Sequence, residues 1–208
     1  MFNLRIVSLL LLALCLAVIP AVAQTDLYDN GPINGTTSGW NIANGFAVSD
    51  TFTLGTASTL TGLSFGIWVF PGDVVQGVEA QITSSEFGGT TFTDQMVSLT
   101  QSGCSTNQEG FTVCTLSGTF GTGVSLAAGT YWLTLDNAVL PDDPAYWDEN
   151  SGPSSASQNT VGTIPSESFT LYGGTSSGTG GTAPEPSSIM LFGSGILGLA
   201  GILRRKVF

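Results

Sequence analysis

The chain has 208 residues, a net charge of −11 and no histidine. Its four basic residues are Arg5, Arg204, Arg205 and Lys206, so residues 24–183 carry every acidic residue except Glu185 and not one cation. That balance excludes nucleic-acid binding, which needs cations to displace phosphate counterions, Ser-His-Asp or Cys-His nucleophiles, which need a base, and zinc or copper sites built on histidine.

The chain opens with Arg5, an apolar run from Ile6 to Ile19, Pro20 and then Ala21-Val22-Ala23. Small residues at Ala21 and Ala23 predict cleavage before Gln24 by signal peptidase, so residues 1–23 are expected to be a signal peptide outside the fold. Leu12-Ala13-Leu14-Cys15 is only a loose lipobox, because Leu14 is too large for its position and the apolar run continues past the cysteine.

Residues 24–172 are long enough for one domain with a sizeable core. Short alternating segments separated by glycine-rich turns recur along them. Leu63, Phe65, Ile67 and Val69 share one face of a strand, with Ser64, Gly66 and Trp68 on the other. Val78, Ala80 and Ile82 alternate with Glu79, Gln81 and Thr83, and Tyr131, Leu133 and Leu135 with Trp132, Thr134 and Asp136. Further strands are expected at 45–54, 90–99, 111–120 and 166–172. This pattern predicts an all-β fold, an antiparallel β-sandwich of jelly-roll type. No repeat of fixed spacing supports a solenoid or propeller.

Cys104 and Cys114 remain after cleavage, and an even pair in an exported chain predicts a disulfide. The bond would close a hairpin around Ser105–Gly110. Without a neighbouring cation to lower a thiol pKa, a catalytic cysteine is not expected.

Three features could carry function. Pro141 to Asn150 places Asp142, Asp143, Asp148 and Glu149 in what reads as a loop, a candidate calcium site since hard cations take carboxylate oxygens. Asp26 to Gly31 is a weaker site of the same kind, and no other cofactor is expected. Trp68 and Trp132 each stand opposite the apolar face of a strand, so both are candidates to stack on sugar rings. The acid pairs Glu79 and Glu86, or Asp148 and Glu149, are the only candidates for glycoside hydrolysis, which needs two carboxylates across a cleft. They stand in no hydrolase signature, and no catalytic residue is assigned. An ice-binding surface would need a regular T-x-T ladder, which the threonines do not form.

Residues 173–182 read as a flexible glycine, serine and threonine linker. The chain then ends in three parts: Pro184-Glu185-Pro186, an uncharged run from Ile189 to Leu203, and Arg204-Arg205-Lys206. The apolar run would extend roughly 22 Å as a helix, short for a hydrocarbon core of about 30 Å unless Ser187, Ser188 and snorkelling basic residues lengthen it. The basic cluster would hold the carboxyl end in the cytoplasm.

These three parts together resemble the PEP-CTERM sorting signal of exported proteins in Gram-negative bacteria that make extracellular polysaccharide. The resemblance implies that an exosortase recognises Pro184, Glu185 and Pro186, that the apolar run within 183–208 is a transient transmembrane anchor in the inner membrane, and that Arg204, Arg205 and Lys206 fix its cytoplasmic end. The protein would then pass to the cell surface or the extracellular matrix. The resemblance covers the tail alone and implies no activity for the domain. Two readings of the domain stay open: a non-catalytic surface or matrix component, and a carbohydrate-binding module, with or without calcium, whose partner would be extracellular polysaccharide.

Overall fold

The computed structural model describes residues 25–141 and 143–175. The residues expected to form and flank a signal peptide, including Ala21, Ala23 and Gln24, lie outside the described residues, as do Pro184, Glu185, Pro186, Arg204, Arg205, Lys206 and the apolar run between them.

The described residues form thirteen strands and no helix: β1 (Thr25–Asp29), β2 (Gly39–Asn41), β3 (Ala47–Leu54), β4 (Ser58–Val69), β5 (Gly77–Ser85), β6 (Gly88–Thr106), β7 (Thr112–Leu126), β8 (Gly129–Val139), β9 (Tyr146–Asn150), β10 (Ala156–Gln158), β11 (Gly162–Ile164), β12 (Ser166–Glu167) and β13 (Phe169–Thr175). They pair in the order β1-β13-β4-β7-β6-β5-β8-β3-β10-β11, with β9 lying on β4 and carrying β2 and β12. Every pairing is antiparallel. The order β8-β5-β6-β7 is a Greek key, three hairpin-linked strands with the fourth returned beside the first.

The sheet curls because β6 belongs to both of its halves. Gly88–Ser98 pairs with β5, whereas Leu99–Thr106 pairs with β7. At the change of partner the chains approach closely: a Cβ on Gly118 would stand 2.5 Å from Val97 Cγ1 and 2.8 Å from the Ser98 carbonyl. Only glycine fits there. The curl brings β1 over β3, where the Tyr28 ring lies 6.0 Å from Phe52 and 5.5 Å from Phe169.

The core fills the inside of the curl. Leu63, Phe65, Ile67 and Val69 of β4, Val78, Ala80 and Ile82 of β5, and Leu133 and Leu135 of β8 are all buried in it, as the alternation predicts. Trp147 of β9 joins them, edge-on to Phe65 and Phe169.

Two boundaries differ from the sequence expectation. Residues 166–172 form two strands rather than one, because the chain breaks at Ser168 between β12 on β9 and β13 on β4. Residues 173–175, expected in the linker, continue β13 and pair with Leu60, Thr59 and Ser58. Glycine does not stop this pairing, since it keeps its backbone donor and acceptor. At Gly173 any side chain would meet the Thr59 carbonyl.

Candidate functional site

The segment expected to be an acidic loop is strand β9, and its alternation sorts its side chains between two environments. Trp147 enters the core, while Tyr146 and Asp148 stand on the outer face of β4, beside Trp68, which pairs with Tyr146. The loop 30–38 covers this face: Ile33 lies over Gly66, and Gly35 lies against Val113. Asp148 ties the loop down. Its Oδ2 accepts from the Asn34 N–H at 2.9 Å, and its Oδ1 accepts from the Gly35 N–H at 2.9 Å and the Trp68 indole at 2.6 Å. A carboxylate receiving three donors is well compensated for its complete burial.

Three further carboxylates lie on the inward phase of their strands. Asp50 shares its phase with Val48 and Phe52, Glu149 with Trp147, and Glu167 with Glu149, its partner across β12 and β9. Asp50 and Glu167 are 0 % exposed and Glu149 8 %. Glu149 Oε2 accepts from the Trp40 indole at 2.8 Å. Asp50 accepts from Thr51 N–H, Glu167 N–H and Asn30 Nδ2. Burial pushes its carboxyl up to about 6, against the opposing pull of those hydrogen bonds. Asn30 is the hub of the cluster: its Nδ2 lies within 3.1 Å of Asp50, Ser154, Ser166 and the Glu167 carbonyl, more acceptors than its two hydrogens serve at once.

On the outer face, Trp68 begins a row of rings. Phe111 lies 6.0 Å from Trp68, 5.7 Å from Tyr146 and 5.2 Å from Phe70. Phe70 is 41 % exposed, and Phe111 and Tyr146 are half-buried. The Phe111 N–H donates to Asn107 Oδ1, and Asn107 Nδ2 donates to the Gly35 carbonyl, joining the β6–β7 hairpin to the covering loop. Asn34, Thr36, Asn107, Gln108 and Val113 line a groove of about 540 Å³ between hairpin and loop, a volume in the range of small-ligand sites.

The described carboxylates of the candidate calcium site take different positions. Asp142 lies outside the described residues. Asp143 stays in the loop before β9, whereas Asp148 and Glu149 are successive strand residues facing opposite sides, with indole and amide donors on their oxygens. Among the described residues no group of three or more acidic, cysteine or histidine side chains is placed to hold a metal ion. In Asp26–Gly31, Asp29 Oδ1 accepts from the Gly31 N–H, an ordinary turn.

The two candidate tryptophans also take different positions. Trp68 does stand on the outer face, but loop 30–38 leaves it only 6 % exposed, so its ring cannot stack on a sugar. Trp132 is half-buried on β8, in the other half of the sheet, paired with Thr51 and Thr83. The structure brings Glu79 beside Asp136 and near Asp94 rather than beside Glu86, which stands exposed in the β5–β6 turn. A hydrogen bond from Asn137 holds Glu79 below the usual carboxylate range, while burial, with the charges of Glu79 and Asp94, pushes Asp136 up to about 6. Cys104 and Cys114 form the expected disulfide, with Cα atoms 4.1 Å apart at a β6–β7 bulge.

Asp50, Glu167 and Phe111 are site residues that the sequence reading passed over, and Asn30 entered it only within the weaker Asp26–Gly31 candidate. Asp50 left a signal: it interrupts the apolar phase of Val48 and Phe52 in an alternating strand.

Residues 182–206 match the family described as the PEP-CTERM protein-sorting motif. The chain carries a PEP-CTERM sorting signal at its C-terminus. PEP-CTERM sorting implies processing by an exosortase and export through the membrane to the cell surface. The match leaves the described domain untouched, and no curated protein matches the chain.

Proposed function

We propose that the domain is a non-catalytic component of the cell surface or extracellular matrix, delivered by its PEP-CTERM tail after signal peptidase removes residues 1–23. The observation carrying this reading is the sorting motif at 182–206. It is supported by the fate of the buried acids, since Asp148 serves as a structural cap and Glu149 and Asp50 as hydrogen-bond acceptors. The jelly-roll description belongs to the same proposal, supported by the Greek-key order and by β6 passing between the two halves. Fractionation of cells expressing the full chain tests it. The wild type should leave the inner membrane for the surface or matrix, and replacing Pro184, Glu185 and Pro186 by alanine should hold it back; identical distributions would overturn the reading.

A second reading, a carbohydrate-binding module, is favoured by the Phe70, Phe111 and Tyr146 row rather than by Trp68 and Trp132. An exposed ring, joined through Phe111 and Asn107 to a groove lined without charged side chains, suits an uncharged sugar. Retardation in native gels containing polysaccharide should disappear in Phe70→Ala and Phe111→Ala if this reading holds.

A further inference from the structure

Glu167 is the one carboxylate of the buried cluster that nothing serves. The residue is 0 % exposed, and neither carboxyl oxygen meets a hydrogen-bond donor. Its backbone is fixed: the N–H donates to Asp50 Oδ2 at 2.8 Å, the carbonyl accepts from Asn30 at 2.7 Å, and the residue pairs with Glu149 across β12 and β9. Glu167 therefore cannot turn away to water while this corner is closed.

The titratable groups that act on it are all acids. Asp50 stands against it from β3 and Glu149 from β9, and the charge of Asp148, on the other face of β9, adds to theirs. Tyr28 of β1 reaches the Asp50 side of this corner, its hydroxyl donating to the Asn30 side chain that also binds Asp50. No lysine, arginine or histidine occurs between residues 25 and 175. An ionised Glu167 would be a buried anion among anions, without a donor, which is among the most costly arrangements in a protein interior.

Either a cation or a proton could relieve it. A hard cation needs several oxygens converging on one point. The oxygens of Asp50 and Asp148 are turned to amide and indole donors, and no three acidic groups are placed around a common centre among the described residues. A proton needs one oxygen, and it removes the buried charge.

We propose that Glu167 is a buried proton-binding site, a latch that closes the β9–β12 pair against β3 in mildly acid surroundings and loosens it as the pH rises. This goes beyond the role proposed above and does not depend on it. Burial, and then the charges of Asp50, Glu149 and Asp148, raise the Glu167 carboxyl well above the usual range. The sign follows from linkage. The unfolded chain loses this proton near pH 4.3, a typical glutamate value of about 4.3, while the folded chain keeps it. Stability is thus complete below that pH and falls as the pH climbs through the folded value. Asp50, raised to about 6, adds a decline of the same sign.

Melting of the full chain in detergent, with chelator or with calcium, tests the proposal. The wild-type melting temperature should fall by about 5 °C or more between pH 5 and pH 8, and Glu167→Gln should remove the larger part of the fall. Infrared spectra of the wild type at pH 7 should show the carbonyl stretch of a protonated carboxylic acid, absent in Glu167→Gln. The infrared arm stands even if the variant does not fold. A flat or rising melting temperature, an equal fall in Glu167→Gln, or no acid carbonyl band would overturn the proposal. So would a calcium-induced rise at pH 8 that Glu167→Gln abolishes, which would make the occupant a cation.

Discussion

Trp68 and Trp132 begin from the same position. Each stands in a strand whose alternate residues fill the core, and each occupies the other phase, between small or polar neighbours. Their fates differ: Trp68 is buried beneath loop 30–38 with its indole on Asp148, while Trp132 stays half-buried between Thr51 and Thr83. Strand alternation assigns a face; whether that face meets water depends on a chain segment that packs from elsewhere in the sequence. Here the segment lies some thirty residues before Trp68 and is held by an acid eighty residues after it.

The largest expected effect separates the two tryptophans. Trp68→Ala should cost about 3–5 kcal/mol, the usual loss for a buried large aromatic, whereas Trp132→Ala should cost about 1–2 kcal/mol, the value of partial apolar burial. Urea unfolding followed by circular dichroism measures both, and equal losses would break the contrast. Next comes the cap. Asp148→Ala strands two loop amides and one indole, so a loss of about 3 kcal/mol is expected, with Trp68 fluorescence newly open to acrylamide. Unchanged quenching would mean that the loop holds without its acceptor.

The smallest effect concerns the hairpin that supports the loop through Asn107. Reducing Cys104–Cys114 releases a short loop worth about 2.5–3 kcal/mol in the chain-entropy model. Because the bond lies beside the covered face, reduction should expose Trp68 more than Trp132. Equal exposure would show that the hairpin does not support the loop separately.

The alternating strands β4, β5 and β8 were legible because a period of two places residues without reference to anything distant. The disulfide was legible because, with Cys15 assigned to the expected signal peptide, the two cysteines left allow one pairing. Tyr146 to Asn150 was misread as a loop, since Asp142, Asp143 and the prolines dominate its composition; β4, β2 and β12 supply the partners that make it a strand. Asp50 and Glu167 were overlooked, although Asp50 interrupts an apolar phase, because an acid reads as a surface residue until a facing element buries it.

The sequence by itself determined the address, the antiparallel β character, the staple and the absence of any internal cation, all of which depend on composition or on spacing between near neighbours. The tertiary structure alone decided which outer face is covered, which carboxylates are served by donors, and that Glu167 is left among acids. These depend on contacts between residues more than a hundred positions apart, such as Asn30 with Ser166 and Asp50 with Glu167. No local pattern records such contacts, because burial and hydrogen bonding are set by the elements that meet a side chain, not by the strand that carries it.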